Sequence, residues 1–320
     1  MLDLLQKREY DFIRTNSDLD NIIYLVLSGS HAYGTSVETS DLDLRGALIE
    51  PPKYIFGLNG FEQFEDLATD TVIYGLKKFV GLLAKANPNT LELLGVSEDS
   101  IVIISEQGRV IRNNAELFLS KRVIHSFGNY AVAQLRRLQN ALSKDTYTEE
   151  EKRQHLEETL CSQLDHFGRT YQKFPEGSLK LYTNEGALKF DVNLENYPVA
   201  DFVGIYSELS SIIKTYNKLN HRNNKKSEAG LYKHAMHLIR VLITGTDILN
   251  GKGIITNRKA EHSLLMDIRN AKLSFDEIWQ LTNESRAEFK LAADNTKLPD
   301  EPYYNDIEEM LIKLYMTFKN

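Results

Sequence analysis

The run IIYLVLSGSHAYGTSVETSDLDLRGALI, residues 22–49, decides how this chain is read. It opens on a short, nearly continuous apolar stretch, IIYLVLS (22–28), rich in β-branched residues, the pattern of a buried strand. Gly29 interrupts that stretch, and a short helix is expected around Ser30 to Tyr33. Asp41 to Ile49 reads as a second strand, closed by Pro51-Pro52. A Gly-Ser pair and two aspartates separated by one leucine do nothing for a hydrophobic core, so the segment asks for a chemical explanation.

On a strand, residues i, i+2 and i+4 share a face. Asp41, Asp43 and Arg45 therefore project together, with the two carboxylates about 7 Å apart at the backbone. Two like charges so placed repel unless a cation sits between them. Magnesium suits the position, because it takes oxygen ligands from a few carboxylates plus substrate phosphates. Arg45 on the same face either neutralises a carboxylate or meets a phosphate. Glycine lets backbone approach a ligand closely, and a helix opening at Ser30 offers free N–H groups to an anion. His31, beside the pair, is placed to contact phosphate or sugar. Together these parts suit in-line displacement on a nucleoside triphosphate, with two metals about 3.5–4 Å apart. An Asp-x-Asp on a wet strand and a Gly-Ser turn are each ordinary alone. Their order and spacing between apolar strands is what carries the reading.

The bulk numbers agree with such a protein. The chain has 320 residues, enough for two domains, with 42% hydrophobic and 26% charged residues. No apolar run reaches the roughly 18 residues of a membrane span, and MLDLLQKREYDFIRTN lacks the apolar stretch of a signal peptide. The single Cys161 excludes an intrachain disulfide and a cysteine-based zinc site. A cytoplasmic location and no membrane partner are expected. The formal charge of −7 argues against a long, uniformly basic nucleic-acid footprint. It leaves room for a local patch, because a metal brings its own charge. There is no G-x-x-x-x-G-K-[ST] loop, so an ordinary P-loop ATPase is not supported.

Residues 1 to about 125 mix strand-like and helix-like segments, and residues 126–320 read almost wholly as helices. FEQFEDL (61–67) and DTVIYGL (70–76) look like strands, followed by a helix over 77–86 that stops before Pro88. Capping boxes at Thr148 and Ser274 start helices. Amphipathic stretches follow at about 148–172, 199–219, 230–248, 274–294 and 303–318. ALKFDVNL (187–194) holds strand-like pieces without a clear place. In the helical half, Lys233, His237 and Arg240 are spaced i, i+4, i+7 and share one helix face. Either they hold a triphosphate from the side opposite Ser30, or they form a solvated basic face. Arg222, Lys225 and Lys226 mark a basic loop. His155 and His166 read as structural, Cys161 as core, and the Asn87-Pro88-Asn89 turn with Glu92 as a structural junction.

Gly29-Ser30, ten residues, then Asp41-Leu42-Asp43 resembles the signature of the DNA polymerase β-like nucleotidyltransferase superfamily. The fuller GSHAYGTSVETSDLDLRG, followed by EPPKYIFGL, is similar to the branch of predicted nucleotidyltransferases associated with RNA repair (RlaP-like). DTVIYGLKKFVGLLAKANPNTLELLG (70–95) and YKHAMHLIRVLITGTDILNGKG (232–253) resemble that branch too. The resemblance implies an α+β fold: a small mixed sheet with flanking helices (1–125), then a helical domain (126–320) that closes over the nucleotide. It also implies a third carboxylate on a neighbouring strand, for which Asp70 matches, with Glu65 and Asp66 as nearby rivals. On this reading Asp41, Asp43 and Asp70 hold two magnesium ions, for which manganese can substitute. Gly29 and Ser30 grip the phosphates of an NTP, with ATP the expected one, and an RNA 3′ end accepts the nucleotide. A protein or small-molecule hydroxyl is the alternative acceptor, and an inactive nucleotide-binding module the reading from another class.

Overall fold

The computed structural model describes residues 5–142, 150, 154, 156, 157, 159, 160, 178–184, 187–216 and 228–317. The fold is α+β, a small mixed sheet with many helices. The Thr148 capping box, Cys161, His155, His166, Arg222, Lys225 and Lys226 lie outside the described residues, as does most of the helix expected over 148–172.

The five strands are β1 (Ile22–Leu27), β2 (Leu44–Leu48), β3 (Gln63–Asp66), β4 (Thr71–Gly75) and β5 (Ile101–Ile104), ordered β3-β4-β2-β1-β5. All neighbours are antiparallel except β2 and β4, which are parallel. Side-chain alternation splits the core between the two faces. Leu25, Leu27, Leu44, Leu48 and Ile73 pack on one face with Tyr10, Leu19 and Val102. Tyr24, Val26, Ala47 and Ile49 face the other way, toward a larger cluster.

That larger cluster is built by helices. α1 (Gly29–Tyr33) contributes Ala32 and Tyr33, and α2 (Leu76–Ala84) contributes Phe79, Val80 and Leu83. From the distant end of the sequence, α3 (Glu228–Leu249) adds Leu238, Val241 and Leu242. α4 (His262–Arg269), α5 (Phe275–Asn295) and α6 (Tyr304–Thr317) follow. Ser274 caps α5 in the expected box: its hydroxyl accepts from the Glu277 N–H, and the Glu277 side chain accepts from the Ser274 N–H. α2 ends before Pro88 as expected, through Lys85 and a left-handed Ala86.

By its contacts the chain groups into two compact units, residues 1–138 with 228–320, and residues 139–227. The grouping differs from a cut at 125, because α3 returns to the same core as the sheet. In the second unit, Leu179–Asn184 and Ala187–Val192 pair as an antiparallel hairpin, and Val199–Tyr216 is a helix. ALKFDVNL thus supplies the second strand of that hairpin.

One expectation about the opening segment is corrected. The second strand starts at Leu44, not Asp41. Its partner β1 ends at Leu27, opposite Leu44, and the chain then turns into α1, so residues 41 and 42 have no strand to pair with. Asp41 is exposed in the approach to the strand, and the shared-face argument applies only from Asp43 onward.

Candidate active site

Strand pairing brings three segments together at one end of the sheet. β1 runs antiparallel to β2 with Leu27 opposite Leu44, so residues 28 and 29 emerge beside residue 43. The Ser28 N–H donates to the Asp43 carbonyl at 2.8 Å, and the Ser28 hydroxyl donates to the same oxygen at 3.2 Å. β2 runs parallel to β4 with Leu44 opposite Thr71, which sets Asp43 level with Asp70. Asp43 and Arg45 share the parity of Ala47 and Ile49, so they rise on the helix-covered face.

Gly29 has φ +59°, a left-handed conformation that favours glycine, and an added Cβ would lie 1.9 Å from Asp43 Oδ2. The glycine is what lets the carboxylate sit against the start of α1. Asp43 and Asp70 hydrogen-bond through their side chains. Burial pushes the Asp43 carboxyl up, and the bond and charge of Asp70 push it further, to about 6. Burial also raises Asp70, but hydrogen bonds from Arg45 and from Asp43 outweigh it and hold Asp70 below the usual carboxylate range. The rival carboxylates are spent locally. Asp66 accepts from the Thr69 N–H at 2.9 Å and hydroxyl at 2.7 Å, and Glu65 accepts from Gln63.

Arg45 turns its guanidinium onto Asp70. Nη2 donates to Asp70 Oδ1 at 2.6 Å, and Nη1 donates to the Asp70 carbonyl and to the Leu44 carbonyl, the latter at 2.9 Å. Gly29, Asp43 and Arg45 line a cavity of about 280 Å³, whose walls also include Tyr33, Glu92 and Thr256. Ser30 is buried and is not part of that lining, and His31 Nε2 is buried without a hydrogen-bond partner among the described residues.

The stripe expected on α3 divides. Lys233 is exposed, and its charge reaches both Asp43 and Asp70. His237 packs edge-on against Tyr33, with ring centroids 6.2 Å apart. Burial, then the charges of Arg240 and Lys233, lower its pKa to about 3, so the ring is neutral. Arg240 is only 3% exposed. Its guanidinium pairs with Glu92 and lies 3.5 Å from the Tyr33 ring centroid, while the Tyr33 hydroxyl donates to the other Glu92 oxygen at 3.0 Å. It forms the wall behind the cavity and is not presented to it.

Several contributors go unnoticed in the sequence reading. Glu92 was read as structural, yet it also lines the cavity, and a lone carboxylate within TLELLG (90–95) is the one signal that it needs a buried partner. The Thr256 hydroxyl donates to the Glu92 carbonyl at 2.5 Å. Arg269 donates to the Thr35 carbonyl at 2.7 Å and to Ser40 Oγ at 3.1 Å, which ties α4 to the loop leading into Asp41. Nothing local in the sequence announces those two pairings.

Among the described residues no group of three or more His, Cys, Asp and Glu side chains forms a ready cage for a metal ion. What fits a cation is the pair of neighbouring carboxyls, one of them pushed up to about 6 by burial first and by the other carboxyl second, so that a positive charge between them would relieve both. Magnesium commonly binds through one or two carboxylates and completes its shell with phosphates and water, so Asp43 and Asp70 are the residues that would hold it.

No curated protein and no solved structure matches the chain. A family model does, described as RlaP, RNA repair pathway DNA polymerase beta family, over residues 5–313. The match spans the Gly-Ser turn, the carboxylates and the returning helix α3 alike, and on it the chain belongs to the RNA repair pathway DNA polymerase β family.

Proposed function

We propose that the chain is a magnesium-dependent nucleotidyltransferase that moves a nucleoside monophosphate from an NTP to an acceptor hydroxyl, an RNA 3′ end being the favoured acceptor. The observation that carries this is the parallel β2–β4 register, which sets Asp43 level with Asp70 while β1 brings Gly29 against the Asp43 carboxylate. Family membership supports the RNA-repair setting.

Asp43 and Asp70 would hold the metal, with Asp41, exposed just ahead of β2, as a further ligand once nucleotide is bound. The metal supplies positive charge to the phosphates and acidifies the attacking hydroxyl. The chain's own residues do the rest. Gly29, which lines the cavity, offers its backbone N–H to the phosphates, and Lys233 adds a point charge. The acceptor oxygen attacks the α-phosphorus, the bond to the β-phosphate bridge oxygen breaks, and pyrophosphate leaves. The acceptor proton passes to a site carboxylate, with Asp70 the candidate base.

The test offers the protein magnesium and each α-labelled NTP with an RNA 3′ hydroxyl, a protein, or no acceptor. Label on RNA, lost in Asp43→Ala with the fold intact, is the expected result. Label on protein would redirect the acceptor. Binding without transfer, unchanged by Asp43→Ala, would leave only a nucleotide-binding module.

A further inference from the structure

We propose that Arg45 is a positioning residue for the third carboxylate. It presets Asp70 opposite Asp43 before a divalent cation enters. The proposal rests on the reading of Asp43 and Asp70 as a cation site, and it assigns Arg45 to the protein's own carboxylate and not to the substrate phosphate.

Asp70 is poorly held without it. The residue ends the β3–β4 turn at φ +43°, a left-handed conformation uncommon outside glycine and asparagine, and its side chain is 59% exposed. A side chain so placed is free to rotate into water. Arg45 removes that freedom by gripping two parts of one residue. Nη1 holds the main-chain carbonyl, and Nη2 holds Oδ1 at 2.6 Å. Fixing the carbonyl fixes the strained backbone, and fixing Oδ1 fixes the side-chain rotamer. The Asp43 contact then falls on a carboxylate whose orientation is already set. The guanidinium is itself anchored, since Nη1 also donates to the Leu44 carbonyl at 2.9 Å and the Arg45 side chain is only 22% exposed.

Two simpler accounts fit less well. An exposed ion pair contributes little and binds carboxylate alone, whereas this guanidinium also holds the carbonyl of the same residue. A phosphate ligand would keep its donors free, and here three of the guanidinium N–H groups already go to the protein's own carbonyls and carboxylate. The fork geometry also explains the residue type, because lysine presents a point charge and cannot span a carbonyl and a carboxylate in one plane. The charge works against metal binding by repulsion, and orientation works for it, so the sign of the effect decides between them.

The experiment measures Mn²⁺ binding to the nucleotide-free full chain by electron paramagnetic resonance of free Mn²⁺. It compares wild type, Arg45→Lys, Arg45→Ala, Asp70→Asn, and Arg45→Ala combined with Asp70→Asn. Thermal melts verify each fold. Loss of a hydrogen-bonding partner behind a metal ligand typically costs 10–100-fold in affinity, and about that loss is expected in both Arg45 variants. Arg45→Lys should bind no better than Arg45→Ala, because it keeps the repelling charge without the fork that orients Asp70. In the Asp70→Asn background, Arg45→Ala should cost no further affinity. Equal or tighter binding by Arg45→Ala would overturn the proposal, and so would rescue by lysine. A wild type that binds no Mn²⁺ would sink the metal-site reading together with it. A wild type that binds, with unaltered Arg45 variants, would sink the positioning role alone. If Arg45→Ala fails to fold, Arg45→Lys decides: weakened binding supports the proposal, and wild-type binding overturns it.

Discussion

At the scale of single residues, the site is shaped as much by an absent side chain as by present ones. A methyl group on Gly29 would overlap Asp43 Oδ2, and φ +59° costs a non-glycine residue about 1–2 kcal/mol. Gly29→Ala should therefore fold with a modestly lowered Tm and displace the carboxylate by around an ångström, a misplacement that costs about 100-fold in rate. Labelled-nucleotide transfer and a thermal melt together check this. A variant with wild-type transfer would show that Asp43 need not sit where it does. Gly29, Asp43 and Arg45 were legible in the sequence because they lie within one short run. The alternation of Asp41 with Asp43 is real in sequence but has no strand beneath residue 41, because the partner strand turns away after Leu27.

At the scale of elements, α3 carries the outcome that periodicity could only half supply. Spacing placed Lys233, His237 and Arg240 on one face, but not how deep that face lies. Lys233 stays at the surface, His237 is largely buried and Arg240 is enclosed. Burial depth depends on what packs over a helix, and that is settled by chain from elsewhere. His237 has a thermodynamic consequence. Its pKa is 6.5 when unfolded and about 3 when folded. The unfolded chain therefore binds more protons between those values. The contribution to stability is complete above pH 6.5 and is lost as pH falls through that window. Between pH 7 and 5, urea titrations should show wild type losing about 1–2 kcal/mol more than His237→Phe, which has no proton to take up. Parallel lines for the two proteins would mean that the ring is solvated.

At the scale of the whole molecule, the short helical turn Glu92–Gly95 and α3 are joined by a buried charge pair. Arg240 and Glu92 are 148 residues apart in sequence, and both are nearly inaccessible. Removing one partner of such a pair strands the other in low dielectric, which costs about 3–5 kcal/mol. Arg240→Met should show a loss of that size by urea unfolding, and Arg240→Met with Glu92→Gln should recover part of it. A single variant as stable as wild type would mean that water reaches the pair. This connection was outside what one sequence could show. Glu92 and Arg240 each stand in runs that read as helix or junction, and neither run names the other. Strand-like and helix-like segments are legible because their periods are local, and the α+β architecture is legible through the family resemblance. The grouping of residues 1–138 with 228–320 is a long-range fact.

That grouping bears on how the protein is made. Gly29, Asp43 and Asp70 are all synthesised early, whereas Lys233, Arg240 and the core residues Leu238, Val241 and Leu242 follow more than 150 residues later. Until they arrive, the nascent sheet has one face unsealed and the carboxylates have no lysine opposite them. Assembly of the site thus waits for residues beyond 228, and a chain stopped short of them would carry the signature motif without the helix that packs over it.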